Sequence, residues 1–219
     1  MSAETVSAAE REMDFDGLRI SFDSRIIEPR PWTAAQSHWA SELLADLPPG
    51  AVLEVCSGAG HIGLLAIAEH ARELTQVDLD PVACEYAVRN ARRAGMADRV
   101  HVRCGPMDEV LDAGETFPLV IADPPYLPTT SVARYPEDPV VAIDGGPDGF
   151  DLVAACLQVI GTHLAPAGAA ILQVADLAQV AAVRRHLDAH PELGLEQVDA
   201  RDCGRGALIR LGRGPCSTS

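Results

Sequence analysis

The stretch AVLEVCSGAGHIGL, residues 51–64, decides the fold. An apolar run over 51–56 reads as a strand, a glycine-rich turn follows, and GLLAIAEHA (63–71) opens a helix. Gly58-Ala59-Gly60-His61-Ile62-Gly63 satisfies G-x-G-x-x-G at a strand-to-helix junction. There the first glycine allows the tight turn and the second lets the backbone approach a ligand closely. On its own the motif fits a dinucleotide site, a nucleoside site without phosphates, or a turn with no ligand.

Outward from this turn the chain alternates. LTQVDL (74–79) reads as a strand, PVACEYAVRNARRAG (81–95) as a helix with Pro81 in its first turn and Gly95 at its end, and RVHVR (99–103) as a strand. PLVIA (118–122) is nearly all apolar, as a strand covered on both faces should be. A polar loop spans 123–148. A helix over 150–164, a strand over 169–174 and a helix over 177–190 follow, and LEQVDARD and GALIRLG close the chain as a hairpin. The pattern predicts an α/β fold: a Rossmann-like, seven-stranded, mostly parallel sheet with helices on both faces and an antiparallel last strand. Ligands of such sheets bind past the carboxyl ends of the strands. Upstream, LRISFD and RIIE read as extended pieces. Thr33 is placed to cap a helix that carries Trp39, Leu43 and Leu44 and stops before Pro48-Pro49-Gly50. The expected organisation is a flexible tail over 1–14, a single domain over 15–211 and a tail over 212–219. Within the domain, 15–47 form a cap segment over the site and 48–211 the core.

The length, 219 residues, suits one domain. Hydrophobic residues make up 47% and charged residues 22%, which excludes a disordered chain, and aromatics are only 4%, so the core is aliphatic. The net charge of −15 repels phosphate backbones and anionic lipid, and so disfavours a nucleic-acid or membrane partner. The polar, acidic start has no apolar h-region, and no run of about 18 apolar residues exists. The six cysteines form no C-x-x-C pair and no zinc pattern, which points to thiols in a reducing cytoplasm and to no metal.

Two acids narrow the nucleotide. Glu54 sits on the strand four residues before Gly58. A pyrophosphate site would not place a carboxylate there, whereas S-adenosylmethionine (SAM), with an ammonium, a sulfonium and no phosphate, would favour it. The competing reading is a strand-end carboxylate capping loop amides. Asp78, at the end of the next strand, can accept both ribose hydroxyls of either nucleotide. It could also cap the following helix, although Asp80, directly before Pro81, is better placed for that.

Asp123-Pro124-Pro125-Tyr126 ends the fourth strand at the mouth of the same site. The prolines fix φ and remove two donors, so the carbonyls of Asp123 and Pro124 are left without a competing amide. A carboxylate and a bare carbonyl can clamp a planar –NH2, and Tyr126 offers a ring face for stacking. Methyl transfer to a poor nitrogen nucleophile needs alignment, and a lone pair drawn out of conjugation, more than it needs a strong base.

These residues resemble a class I SAM-dependent methyltransferase, and within that group the catalytic domain of the protein-(glutamine-N5) methyltransferases that modify release factors. DSRIIEPRPWT (23–33) is similar to a segment ending in P-R-P-E-T, and VLEVCSGAGHIGL (52–64) to the SAM glycine motif. VDLDPVACEYAVRNARRAG (77–95) follows an acid–proline–helix pattern holding Asn90. IADPPYLP (121–128) with EDPVVAIDGGPDGFDL (137–152) parallels N-P-P-Y and its downstream glycine run. The resemblance implies that Glu54, Ser57, Gly58, Ala59 and Gly60 surround the methionine part of SAM. It implies that Asp78 holds the ribose, Leu79, Pro106 and Met107 flank the adenine, Trp32 and Thr33 close over the cofactor, and Asp123, Pro124 and Tyr126 hold the acceptor. It also implies a methyl-acceptor protein, peptide or small molecule as partner.

Departures stand beside the likeness. Trp32 occupies the Glu position of P-R-P-E-T. Gly105-Pro106 replaces Gly-Asp at the adenine turn, with Asp108 as the nearest substitute. Asp123 replaces Asn, and the family's helical N-terminal domain has no counterpart. An ionised Asp only accepts hydrogen bonds, so it favours an acceptor edge made of donors. The rival readings are N-methylation of an exocyclic base amino group in RNA or DNA, a SAM-fold subunit that only binds, and, more distantly, an NAD-dependent dehydrogenase. Four further features read as structural. His61 is an exposed loop histidine, His186 and His190 are i,i+4 neighbours without a third ligand, Cys56 is a small residue against the cofactor, and RNARR (89–93) is a solvated helix face.

Overall fold

The structure is a computed structural model that describes residues 9–214. Its strands are β1 (Arg11–Phe15), β2 (Leu18–Phe22), β3 (Val52–Val55), β4 (Leu74–Asp78), β5 (Val100–Cys104), β6 (Phe117–Ala122), β7 (Leu164–Val174), β8 (Leu195–Asp202) and β9 (Ala207–Arg213). The helices are α1 (Ala34–Leu44), α2 (His61–Ala66), α3 (Pro81–Arg93), α4 (Thr129–Val132), α5 (Asp151–His163) and α6 (Leu177–Ala189). Seven strands form one sheet in the order β5-β4-β3-β6-β7-β9-β8. β3 pairs in parallel with β4 and β6, β4 with β5, and β6 with β7, while β9 runs antiparallel to both β7 and β8. The chain moves outward from β3 to β5 and then returns to β6 on the other side. The strand order therefore reverses between β3 and β6, and such a reversal opens a crevice at the strands' carboxyl ends.

Side chains alternate between two cores, one on each face of the sheet. Leu119, Ile121, Ala169 and Ile171 pack with Trp39, Leu64 and Tyr86 from α1, α2 and α3. Val120, Ala122, Ala170 and Leu172 pack with Leu157, Ile160 and Val183 from α5 and α6. Burial on both faces is what makes these strands read as uninterrupted apolar runs.

The amino-terminal region departs from expectation. Arg11–Asp14, assigned to a flexible tail, form most of β1, and β1 and β2 make a separate two-stranded hairpin. Asp16 (φ 51°) and Gly17 (φ 90°) make its turn, both with positive φ as a two-residue hairpin loop requires. Phe15, Ile20 and Phe22 are buried. Asn90 on α3 fixes the hairpin to the glycine turn, accepting from Ser21 N (2.8 Å) and donating to Ser21 O (3.0 Å) and Ala59 O (2.9 Å). RIIE is not a strand. Thr33 does precede α1, but its hydroxyl donates back to Arg30 O (2.8 Å) instead of capping the helix. Asp80 caps α3 through Val82 N (2.8 Å). α2 starts two residues earlier and ends sooner than the 63–71 reading. The 123–148 stretch holds the single turn α4 and a 3-10 turn at Val140–Ala142. β9 continues to Arg213, past the expected boundary at 211. Residues 1–8 and 215–219 of the two expected tails lie outside the described residues. Among those described, no helix is long and apolar enough to cross a membrane.

Candidate functional site

A cavity of about 1040 Å³ fills the crevice at the strand-order reversal. Pockets for drug-sized ligands run from about 300 to 1,000 Å³, so this one has room for a nucleoside together with part of a second molecule. Leu79, Asp80, Pro106 and Met107 line one end, and Tyr126, Gln173, Trp32 and Arg205 the other. Asp78 and Asp123 lie between the two ends, at the tips of β4 and β6.

The glycine turn is built by its neighbours. Ser57 N donates to Val77 O (3.1 Å) and Gly60 N to Ser57 O (2.8 Å). Gly58 (φ 52°) and Gly60 (φ 78°) occupy the left-handed region, as does Cys56 (φ 56°), a strained conformation for a residue with a Cβ. A Cβ on Gly60 would lie 2.6 Å from Gln76 Nε2, so the close approach needs glycine there. Gly58 N donates to Asp78 Oδ2 (2.7 Å) and Asp80 N to Asp78 Oδ1 (2.9 Å). These bonds fix the Asp78 carboxylate and leave its other lone pairs open. Burial raises its pKa, against the backbone amides of Asp80, Gly58 and Leu79 that lower it.

Glu54 is turned away from the cavity. It is buried and does not line the cavity. Its Oε1 accepts from Gly63 N (3.0 Å) and its Oε2 from Gln76 Nε2 (2.6 Å), which ties β3 to α2 and β4. Burial pushes its pKa up to about 8. Ala59 and Gly60 shape the turn from behind and likewise do not line the cavity. Trp32, Thr33, Ser57, Gly58, Asp78, Leu79, Pro106, Met107, Asp123, Pro124 and Tyr126 all do, and so does Asp108.

The Asp123–Tyr126 bend rests on the glycine run that follows it. Leu127 N donates to Ile143 O (3.1 Å) and Gly145 N to Leu127 O (2.8 Å). A Cβ on Gly145 would lie 2.7 Å from Pro125 O, which explains the double glycine at 145–146. Gln179 Nε2 on α6 holds Tyr126 O (3.0 Å), and Gln36 Nε2 on α1 holds Ala122 O (3.0 Å). Asp123 has no hydrogen-bond or ion-pair partner among the described residues, and burial alone pushes its pKa up to about 7. A half-buried carboxylate without a cation beside it suits a ligand that brings one.

Several residues of the site carried no motif. Arg30 forks onto Asp138 (2.6 Å to each carboxylate oxygen) and so bridges the cap segment to the 129–142 loop. Its guanidinium lies 5.7 Å from the Trp32 ring, and that of Arg205, in the β8–β9 turn, lies 5.0 Å from it. His61 is not loop-exposed. It is buried edge-on against Phe15 (4.7 Å between ring centroids), and burial lowers its pKa to about 3. His186 and His190 stack at 4.4 Å on a peripheral helix. In the RNARR face, Arg89 and Arg93 pair with Glu10 and Glu12 of the amino-terminal region.

Strand order, cavity position and the two loops define a class I methyltransferase fold. Residues 52–137 match the family model described as a methyltransferase domain. The chain resembles the glutamine methyltransferases. It is 32% identical over 200 residues to the ribosomal protein uL3 glutamine methyltransferase of Bradyrhizobium diazoefficiens, with 85% of this chain and 60% of that one covered. It is 34% identical over 170 residues to the release factor glutamine methyltransferase of Deinococcus radiodurans, with 74% and 59% covered. The chain thus spans about 60% of the length of these curated relatives. Among solved structures, the hMettl16 catalytic domain in complex with an RNA hairpin superposes with a TM-score of 0.72 at 16% identity, covering 94% of this chain and 77% of that one. The ribosomal protein L11 methylase of Lactobacillus delbrueckii superposes with a TM-score of 0.64 at 16% identity, covering 88% and 84%. At such identities these two superpositions speak for the fold alone.

Proposed function

We propose that the chain transfers a methyl group from SAM to a side-chain nitrogen of a protein or peptide. The observation that carries the reading is one continuous cavity in which an unpaired, half-buried carboxylate, Asp123, sits between a ribose-accepting acid, Asp78, and the Tyr126 bend. Six acids, Asp78, Asp80, Asp108, Asp123, Glu137 and Asp138, line it against two arginines, Arg30 and Arg205, a poor environment for a pyrophosphate and a good one for a cationic nucleoside. Leu79, 59% exposed, together with Pro106 and Met107 gives the adenine an apolar seat. When bound, SAM supplies an activated methyl group on a sulfonium. Asp123 and the Pro124 carbonyl receive the N–H groups of the acceptor, and Tyr126 stacks on its plane. The relatives are named for glutamine acceptors, which supports an amide, while Asp123 in place of Asn favours an acceptor edge made of donors.

Calorimetric titration with SAM, S-adenosylhomocysteine and NAD tests the cofactor. Heat from NAD and none from SAM would reverse the reading. Asp78→Ala should weaken SAM binding by about 10- to 100-fold, as loss of hydrogen bonds to a charged group does. Labelled-methyl transfer to release factor, uL3 and lysate fractions of protein, RNA and small molecules then identifies the acceptor.

A further inference from the structure

We propose that Arg205, stacked on Trp32 at the acceptor end of the cavity, binds a carboxylate that the acceptor peptide carries beside its reacting side chain. The inference rests on the peptide-acceptor reading above and narrows it to acidic sequences. Arg30 and Arg205 both lie against Trp32, yet they are not equivalent. Arg30 is already paired, its Nη2 donating to both carboxylate oxygens of Asp138, whereas Arg205 makes no hydrogen bond or ion pair among the described residues. Cation–π contact occupies the face of a guanidinium and leaves its in-plane N–H fork free, and that fork matches a carboxylate. Of the two arginines that line the cavity, Arg30 is paired with an acid and Arg205 is not. The sequence contributes to it: a glutamate at position 32, as in P-R-P-E-T, would neutralise Arg205, while Trp32 orients it and leaves it available.

Asp123 lines the same cavity. The acceptor side of the site therefore presents a carboxylate for N–H donors and, at its mouth, a guanidinium for an anion. A peptide with a glutamate or aspartate near the reacting residue offers both groups at once. A nucleic-acid phosphate would also pair with Arg205, but it would meet Asp123, Glu137 and Asp138 around the mouth.

The test uses short fluorescein-labelled peptides with a central glutamine flanked by glutamate, serine or arginine, and a single-stranded RNA oligonucleotide. Binding to the full chain saturated with S-adenosylhomocysteine is read by anisotropy. Near-physiological salt leaves a Debye length of about 8 Å, which damps the long-range repulsion of the acidic surface. The glutamate peptide should bind about tenfold or more tightly than the serine peptide, the scale of a charge-assisted pair. Arg205→Ala should reduce the ratio to near one, and Trp32→Glu should do the same by occupying the guanidinium. Arg205→Lys should keep only part of it. An unchanged heat of S-adenosylhomocysteine binding in Arg205→Ala shows that the variant is folded. No preference in the wild type, an equal preference in Arg205→Ala, or tighter binding of RNA than of any peptide overturns the proposal. Methyl transfer to the same peptides separates the two readings. Selective binding without transfer keeps the Arg205 site and removes the proposed reaction, whereas transfer without glutamate preference does the reverse.

Discussion

Asp123, half-buried, and Glu54, fully buried, are two carboxylates with opposite duties. Asp123 faces the cavity with no cation beside it, and its pKa is raised to about 7 by burial. It carries charge only above that value. SAM affinity should therefore climb as pH rises through about 7, and Asp123→Asn should flatten the climb. S-adenosylhomocysteine, which lacks the sulfonium charge, should show no comparable rise, and calorimetry at several pH values reads all three. Glu54 is raised to about 8 by burial, above the 4.5 of an unperturbed glutamate. Between those values the folded state holds the proton more tightly than the unfolded state. Stability is then highest below about 4.5 with respect to this group, falls as pH rises toward about 8, and levels off beyond. Denaturant unfolding of Glu54→Gln should lack that decline.

At the scale of elements, Asn90 joins three pieces of chain with one side chain. Asn90→Ala would leave buried amide and carbonyl groups of Ser21 and Ala59 unpaired. It should lower stability by about 3 kcal/mol and the melting temperature by about 6–12 °C in a chain of this size. A melt within 2 °C of wild type, itself about the lower edge of a 1 kcal/mol effect, would contradict that account. The central strands β3, β4, β6 and the second half of β7 are legible in the sequence because burial on both faces leaves apolar runs. The amino-terminal hairpin is not read, although Asp16-Gly17 is a strong turn signal and Met13, Phe15, Leu18, Ile20 and Phe22 alternate with polar residues, because β1 is only five residues long and three of them are exposed. That omission carries over to His61, which is buried by Phe15. Glu54 was assigned from its position at a strand end, but the side-chain alternation of β3 turns it toward Gly63 of α2 and away from the cavity. The Asp123–Tyr126 bend is legible because two prolines and a terminal strand residue leave little freedom. The Arg30–Asp138 bridge, which spans 108 positions, leaves no local trace.

On the scale of the whole molecule, charge and closure matter most. With a net charge of −15, the protein should pass through a heparin column at physiological salt, and retention would reopen the nucleic-acid alternative. Closure joins the two ends of the fold. Arg201 of β8 lies 3.8 Å over the Trp39 ring of α1, Arg205 lies over Trp32, and Gln36 of α1 reaches Ile171 O on β7 (3.2 Å). The amino-terminal elements are thus clasped by the carboxyl-terminal ones. Removing β8 and the turn after it should leave the glycine turn in place beside a pocket that lacks its Arg205 wall.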